Sequence, residues 1–403
     1  MFGANHYVPI LRWKPAERGA LKELRDEDRG RITPLIEIPR KLFEAPQNKD
    51  TEGQTPVVDQ IPFEETEGQR PDPGQVLFKV AKGLLDAWRY DPFFVDLCHV
   101  DGQIPQIRGT KHTLIHIAQE ARRLKLKLIP VTGLSRKRKY QIAVSHVAAA
   151  DGRGACVRVF PDDVLRPTFA HDLTSLLRNL SLKVADVDLL LDCQDFDSEK
   201  PSYETLLNRI PRLEEWRTFT LASGAFPQDL QRFERGIHKI ERHDWLTWQR
   251  LALGEVGLRK PSFSDYTVQY GRYVEPPDFC NPSASIRYTL AEHWLIMRGE
   301  GILNEGGPGC AQYPASATLW CESNDFYGPD FSYGDRYISR MSDGADTDGN
   351  PATWIRAGIN HHMTVVSRQI ASLPSSLGID APRRANSRYL HSQPIRHRSK
   401  RGA

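Results

Sequence analysis

The sequence predicts an α/β chain, a (β/α)8 TIM-like barrel with a C-terminal α/irregular extension packed on it. Three observations lead there. Short apolar runs recur through the first 270 residues, and helix-like segments separate them. Four consecutive runs begin at 126, 155, 187 and 217, and separations of 29, 32 and 30 residues match one βα unit of about 30.

The eight strand-like runs are Tyr7–Trp13, Ile32–Ile38, Phe93–Leu97, Leu126–Val131, Ala155–Val159, Val187–Asp192, Arg217–Ala222 and Asp265–Gln269. Each is too short for a helix and apolar enough to be buried on both faces, as parallel strands are. Between them, Leu21–Asp28, Gln75–Tyr90, His112–Leu124, Asp172–Leu180 and Tyr203–Arg212 read as helices. In Gln75–Tyr90 apolar residues fall at 76, 77, 80, 84, 85 and 88, a helical stripe. Trp245 and Trp248 stand three apart on a further expected helix, a spacing for packing on the barrel, with base stacking as the weaker reading. A doubly wound open sheet is the structural alternative, but it needs two edge strands and none of the eight looks like one.

Two segments interrupt the rhythm. Residues 44–74 are polar and rich in Pro, Gly and acids, and they follow strand two. That places them at the C-terminal face of a barrel, as a lid or a plain insertion. After residue 272, Ser283–Arg298 reads as the barrel's last helix, Gly299–Asn350 is Gly-rich and aromatic-rich, and a final helix is expected around Ala357–Leu373. The expected units are therefore a barrel over 1–298 with an insertion at 44–74, an extension over 299–373, and a flexible basic tail over 374–403.

The 403 residues are 39% hydrophobic and 26% charged, ordinary for a globular chain. Lys and Arg number 54 against 51 Asp and Glu, but residues 381–403 hold seven of the basic side chains and no acid. The rest stands at 47 against 51, too acidic for a dedicated nucleic-acid coat. No two of the six cysteines form a CxxC pair, so neither a disulfide framework nor a zinc ribbon is expected. The opening residues lack a leader pattern, and no run approaches a spanning helix of about 20 apolar residues. A cytoplasmic protein without membrane contact is the expectation.

Reactive groups of a parallel barrel come from strand C-terminal ends and the loops after them. Those positions hold Arg12, Lys14, Glu37, Asp96, His99, Arg158, Asp192, Ser223, Gln269 and Tyr270. Glu37 and Asp192 stand out as lone carboxylates in apolar runs, where desolvation perturbs acidity unless a cation lies near. The bland reading is a buried charge network, with Arg158 paired to Glu37 or Asp192. Arg136, Lys137, Arg138 and Lys139 follow strand four and would attract phosphate, nucleotide or nucleic acid; the bland reading is a solvated helix start. Ser223-Gly224 after strand seven suits a backbone anion site or a structural turn, since no G-x-S-x-G surrounds the serine. No metal site is expected: H-E-x-x-H is absent, and the adjacent His361 and His362 point about 100° apart on a helix. The G-x-x-x-x-G-K-[ST] and G-x-G-x-x-G loops are absent too, and the residues name no cofactor.

Taken together, YVPILRWKPAERGALKEL, ITPLIEIP, FTLASGAFP, FSYGDRYI and W-x-x-x-G-x-N-H-H-M-T resemble the beta-protein family of bacteria and phages. The resemblance runs from about residue 7 to 372, and Phe331–Ile338 with Trp354, Gly358, Asn360, His361 and His362 is its most specific part. It implies a phage–bacterium setting and brings no reaction with it. It also implies that the C-terminal segment is integral, packing on or over the barrel, and it draws attention to Lys14, Glu17, Glu37, Asp335 and His361, which stand in the matching motifs. The catalytic candidates are then Lys14, Glu37, Asp96, Arg158, Asp192, Asp335 and His361.

Two functions are expected to compete. One is a component of an antiviral conflict system that recognises a phosphate-bearing or protein ligand, with a co-encoded protein as a partner. The other is a hydrolase or phosphodiesterase acting on a nucleotide or nucleic acid at the barrel mouth. Nucleic-acid contact through Arg136–Lys139 and the basic tail would be accessory to either. An enzyme calls for an open mouth with unspent groups, whereas a recognition protein permits those groups to neutralise one another.

Overall fold

The computed structural model describes residues 2–44, 71–89, 91–102, 112–197, 201–254, 259–274, 280–344 and 347–373. Most of the insertion expected at 44–74, and the tail at 374–403, lie outside the described residues.

Eight parallel strands build the main sheet: β1 (Ile10–Arg12), β2 (Leu35–Glu37), β3 (Pro92–Asp96), β4 (Lys127–Thr132), β5 (Ala155–Val159), β6 (Val187–Asp195), β7 (Thr218–Gly224) and, after an intervening strand β8 (Gly236–Glu241), β9 (Ser262–Ser264). Sequential neighbours pair in parallel from β1 to β7, and β7 pairs with β9. Bridges from Tyr7 to both Ile32 and Phe263 bring the ends together, and Val8 N donates to Phe263 O at 2.9 Å. The eighth strand therefore lies just before the expected Asp265–Gln269, which instead forms the turn leaving it.

The helices are α1 (Pro15–Lys22), α2 (Asp26–Arg29), α3 (Pro73–Trp88), α4 (Thr113–Arg123), α5 (Arg138–Asp151), α6 (Pro161–Leu165), α7 (Phe169–Leu180), α8 (Tyr203–Leu207) and α9 (His243–Leu253), followed by α10 (Gln312–Cys321), α11 (Tyr333–Ser342) and α12 (Pro351–Ala371). Local chemistry sets several ends. Asp72 caps α3 by accepting from Gln75 N, with Pro73 in its first turn. Asn350 and Thr353 form a reciprocal capping box on α12. Trp245 and Trp248 pack on Phe263 of β9, as helix-to-barrel packing requires.

Ser283–Arg298 is not a helix. It forms an antiparallel hairpin, β10 (Ser283–Thr289) and β11 (His293–Gly301), and β11 pairs with β8 to complete a three-stranded sheet. Ala284, Ile286 and Tyr288 are buried while their neighbours at 283, 285 and 287 are half-buried, the period of two that a strand shows. On β11, Trp294 and Ile296 join the barrel's apolar core, whereas Leu295 and Met297 join a second core with Tyr313, Trp320 and Ile338. Two-sided burial is a demand a sheet meets and an amphipathic helix does not.

Helix α12 ties the units together. Ile359, Met363, Val366 and Ile370 belong to the barrel core, and Trp354 to the second core. Thirteen of its residues are buried, far more than a surface helix shows. Among the described residues no helix is long and apolar enough to cross a membrane, and all six cysteines are free thiols.

Candidate functional site

Side chains alternate along a strand, so every second residue faces the barrel interior. Ile10, Leu35, Phe94, Cys156 and Leu190 belong to the interior apolar cluster. Two residues further toward the C-terminal ends stand Arg12, Glu37, Asp96, Arg158 and Asp192, one polar layer on top of an apolar one. The register makes Arg12, Glu37 and Asp96 lateral neighbours on β1, β2 and β3. Lone carboxylates in apolar runs thus converge because the strands are parallel and closed.

Arg158 is the hub. Its Nε donates to Asp192 Oδ2 at 2.9 Å. Its Nη1 donates to Glu37 Oε1 at 2.8 Å and to Asp96 Oδ2 at 2.9 Å. Its Nη2 donates to Asp192 Oδ2 at 2.6 Å and to Tyr266 Oη at 3.2 Å. A guanidinium has five N–H donors, and these five bonds engage them all. Tyr266 Oη in turn donates to Asp192, and Gln194 N donates to Asp192 Oδ1 at 2.8 Å. Arg136 reaches in from the loop after β4 and donates to Asp96 Oδ1 at 2.5 Å.

Burial alone would push the Glu37 carboxyl up, but Arg158, with His99 and Arg12 behind it, holds it well below the usual carboxylate range. Burial would likewise lower Arg158, yet Asp192, Glu37 and Asp96 hold it well above its ordinary value. Arg158 is 4% exposed, Glu37 3%, and Asp96 and Asp192 are fully covered.

Around the hub lies a rim in which Lys14, His99 and Tyr273 are half-buried and Arg12 is buried. His99 Nε2 sits 3.0 Å from Glu37 Oε2, and its ring packs 4.5 Å from that of Tyr273. Arg12 lies 5.3 Å from the Tyr273 ring, donates to Tyr270 O at 2.8 Å, and its Nε stands 3.8 Å from Glu37 Oε2. Lys14 Nζ lies over the same Tyr273 ring at 5.3 Å. Gln269 Nε2 donates to Glu17 Oε1 at 2.9 Å, and burial pushes the Glu17 carboxyl up against the opposing pull of Gln269 and Lys14.

The basic run divides: Arg136 turns into the mouth, the exposed Lys137 reaches with its Nζ beside Gly102 in the turn after β3, and Arg138 and Lys139 are exposed at the start of α5. Ser223 and Gly224 end β7 in packed surroundings. A side chain at Gly224 would meet the Tyr266 ring at 3.1 Å, so this glycine makes room for Tyr266.

Asp335 and His361 lie away from this group, in a buried seam between extension and barrel. Asp335 accepts from Tyr288 Oη and Ser332 Oγ at 2.5 Å each and meets His361 Nδ1 at 2.8 Å. His361 Nε2 donates to Thr289 O at 2.8 Å. Burial would raise the Asp335 carboxyl, but His361 and these hydrogen bonds hold it below its ordinary value. His362 Nε2 pairs with Asp265 Oδ2 at 2.7 Å, and Tyr7 Oη donates to Asp265 Oδ1 at 2.5 Å. Neighbouring histidines, pointing apart on α12, thus clamp two different partners. Gly334 brings α11 so close to α12 that a methyl there would fall 2.2 Å from Ala357 O, and Asn360 Oδ1 accepts from Gly334 N while its Nδ2 donates to Ala20 O. The FSYGDRYI and G-x-N-H-H segments are this clamp.

Glu37, Cys98 and His99 place one ligand-type atom each within 4.8 Å of one another, a grouping with no helical motif to announce it. The available signal was the register: Glu37 pairs with Asp96, so residues 98 and 99 emerge beside it. Tyr266, which completes the Arg158 shell, also escapes a reading of strand ends, because the sequence places the eighth strand three residues too late.

A cavity of about 440 Å³ lies at the opposite end of the barrel, between α7 and the segments leading into β6 and β7. A family model described as Beta protein matches residues 7–368. A chain of a tryptophan synthase complex from Pyrococcus furiosus is similar at 13% identity and a TM-score of 0.35, covering 66% of this chain and 90% of its own. No curated protein matches the sequence.

Proposed function

The chain belongs to the Beta protein family, and on that premise we propose that it is a cytoplasmic recognition component of a phage–bacterium conflict system, its barrel mouth taking an anionic ligand. The saturated Arg158 hub carries this reading. A general acid or base works best with its acidity matched to the operating pH. Glu37 is instead held low by a cation whose five donors are all spent. Such a layer fixes the shape of the mouth, and contact with the ligand falls to the rim. Lys14, Lys137 and His99 supply that rim with positive or donor groups, which suits a phosphate-bearing ligand or an acidic protein surface.

The test is phage plating on bacteria that carry the gene in its own locus. Lys14→Glu combined with Lys137→Glu should abolish protection while leaving the unfolding midpoint unchanged. Equal protection by this variant sinks the mouth as the recognition site. Equal plating of the intact locus and its deletion across a phage panel sinks the conflict reading.

One observation favours a hydrolase of nucleotides or nucleic acid as the second reading. Burial pushes the Glu17 carboxyl up against the pull of Gln269, Lys14 and Arg12, the opposite direction from Glu37. Phosphate release from a nucleotide panel, lost in Glu17→Gln, would support it; no release by the intact protein would remove it.

A further inference from the structure

We propose that Glu37, Cys98 and His99 form a three-ligand site for a divalent cation of the zinc class at the barrel mouth. The inference goes beyond the recognition reading and stands without it. Its ground is the donor set and its placement. A carboxylate oxygen, a thiol sulfur and an imidazole nitrogen lie within 4.8 Å of one another. His99 Nε2 and Glu37 Oε2 are already 3.0 Å apart. Ligand atoms sharing a tetrahedral zinc stand about 3.3–3.8 Å apart, given bonds of about 2.0–2.3 Å, so modest side-chain turns complete the triangle.

The mixture of oxygen, nitrogen and sulfur suits zinc or cobalt(II) better than magnesium or calcium, which prefer oxygen alone. Cys98 and His99 are only half-buried, so an ion can reach them, while Glu37 is held from behind by Arg158 Nη1 on its other oxygen. That second bond orients the carboxylate as supporting groups do around metal ligands. The Tyr273 ring packs against that of His99 at 4.5 Å and limits its rotation.

Charge does not forbid the ion. Arg158, Arg136 and Arg12 face Glu37, Asp96 and Asp192, three cations against three anions. Binding a divalent ion displaces the Cys98 thiol proton to solvent, so the cluster gains a single positive charge. Three protein ligands also leave a fourth position for water or a ligand group, the arrangement of an open zinc site.

The experiment uses the full chain, dialysed against a chelator and titrated with cobalt(II) and zinc salts alone. Cobalt(II) should give a thiolate-to-metal absorption band saturating at one equivalent, and Cys98→Ser should abolish it. His99→Gln should weaken binding by about tenfold or more. In the unaltered chain, zinc should shield Cys98 from alkylation, read by mass spectrometry; this arm needs no substitution and is immune to misfolding of a variant. A band that persists in Cys98→Ser, no band in the intact chain, or equal alkylation of Cys98 with and without zinc overturns the site.

Discussion

Arg158 on β5 and Asp192 on β6 form a two-point contact, Nε and Nη2 both reaching Asp192 Oδ2, at 2.9 and 2.6 Å. Removing one side of a buried pair strands the other charge, at about 3–5 kcal/mol. Arg158→Met should therefore lower unfolding free energy by about that amount, measured by urea denaturation at pH 7. Arg158→Lys should recover little of it, because an ammonium offers three donors in place of a five-donor fork. A near-native Lys variant would show that charge alone matters at the hub.

Acid should destabilise the fold through two identifiable groups. His6 is lowered from 6.5 to about 3, by burial first and then by the positive N-terminus. It stays neutral in the fold while the unfolded chain takes up a proton below about 6.5, so stability falls as pH drops from 6.5 toward 3, by roughly 4–5 kcal/mol in full. His6→Gln should flatten that slope relative to the intact chain. Glu37 is held below its ordinary 4.5, so its contribution is present above 4.5 and is lost as pH falls below it. Unfolding midpoints between pH 8 and 3.5 check both.

Gly334→Ala should cost about 1–3 kcal/mol by overpacking, since its methyl would meet Ala357 O at 2.2 Å. Thermal melting measures it. An unchanged melting temperature would mean that α11 shifts freely on α12, contrary to the clamp built by Asn360 and His361.

Two left-handed glycines separate conformation from contact. Gly152 (φ 63°) has open space where a side chain would stand, whereas at Gly154 (φ 63°) a methyl would fall 1.9 Å from Asp186 O. Gly152→Ala should cost about 1–2 kcal/mol from backbone preference alone. Gly154→Ala should cost clearly more, and equal losses would deny the close approach between the β5 and β6 entries.

Barrel strands were legible because closed parallel strands are apolar on both faces, which leaves Glu37, Asp96, Arg158 and Asp192 visible as exceptions. Their mutual neutralisation was open in the sequence as one of two readings, since strand-end polarity says nothing of who pairs with whom. The hairpin at 283–301 was hidden for a definite reason. Leu295 and Met297 face one core while Trp294 and Ile296 face another, so its apolar run lacks the alternation of a strand. Its partner β8 carries no apolar run, being largely exposed. The Glu37, Cys98 and His99 grouping shows in no single stretch, because Glu37 ends β2 while Cys98 and His99 lie in the turn after β3, and only the register of the two strands brings them together.

Strand β8 lies between β7 and α9 in the chain, yet its partner is β11, with Arg298 opposite Gly236 and His293 opposite Glu241. During synthesis this strand leaves the ribosome more than fifty residues ahead of the edge it will join. A nascent chain halted after β9 would therefore hold every strand of the main sheet and still carry an unmated ribbon, with Ile237 and Ile240 on it. Maturation of the small sheet waits on translation of the hairpin, so truncations near residue 272 are predicted to be prone to edge-to-edge aggregation.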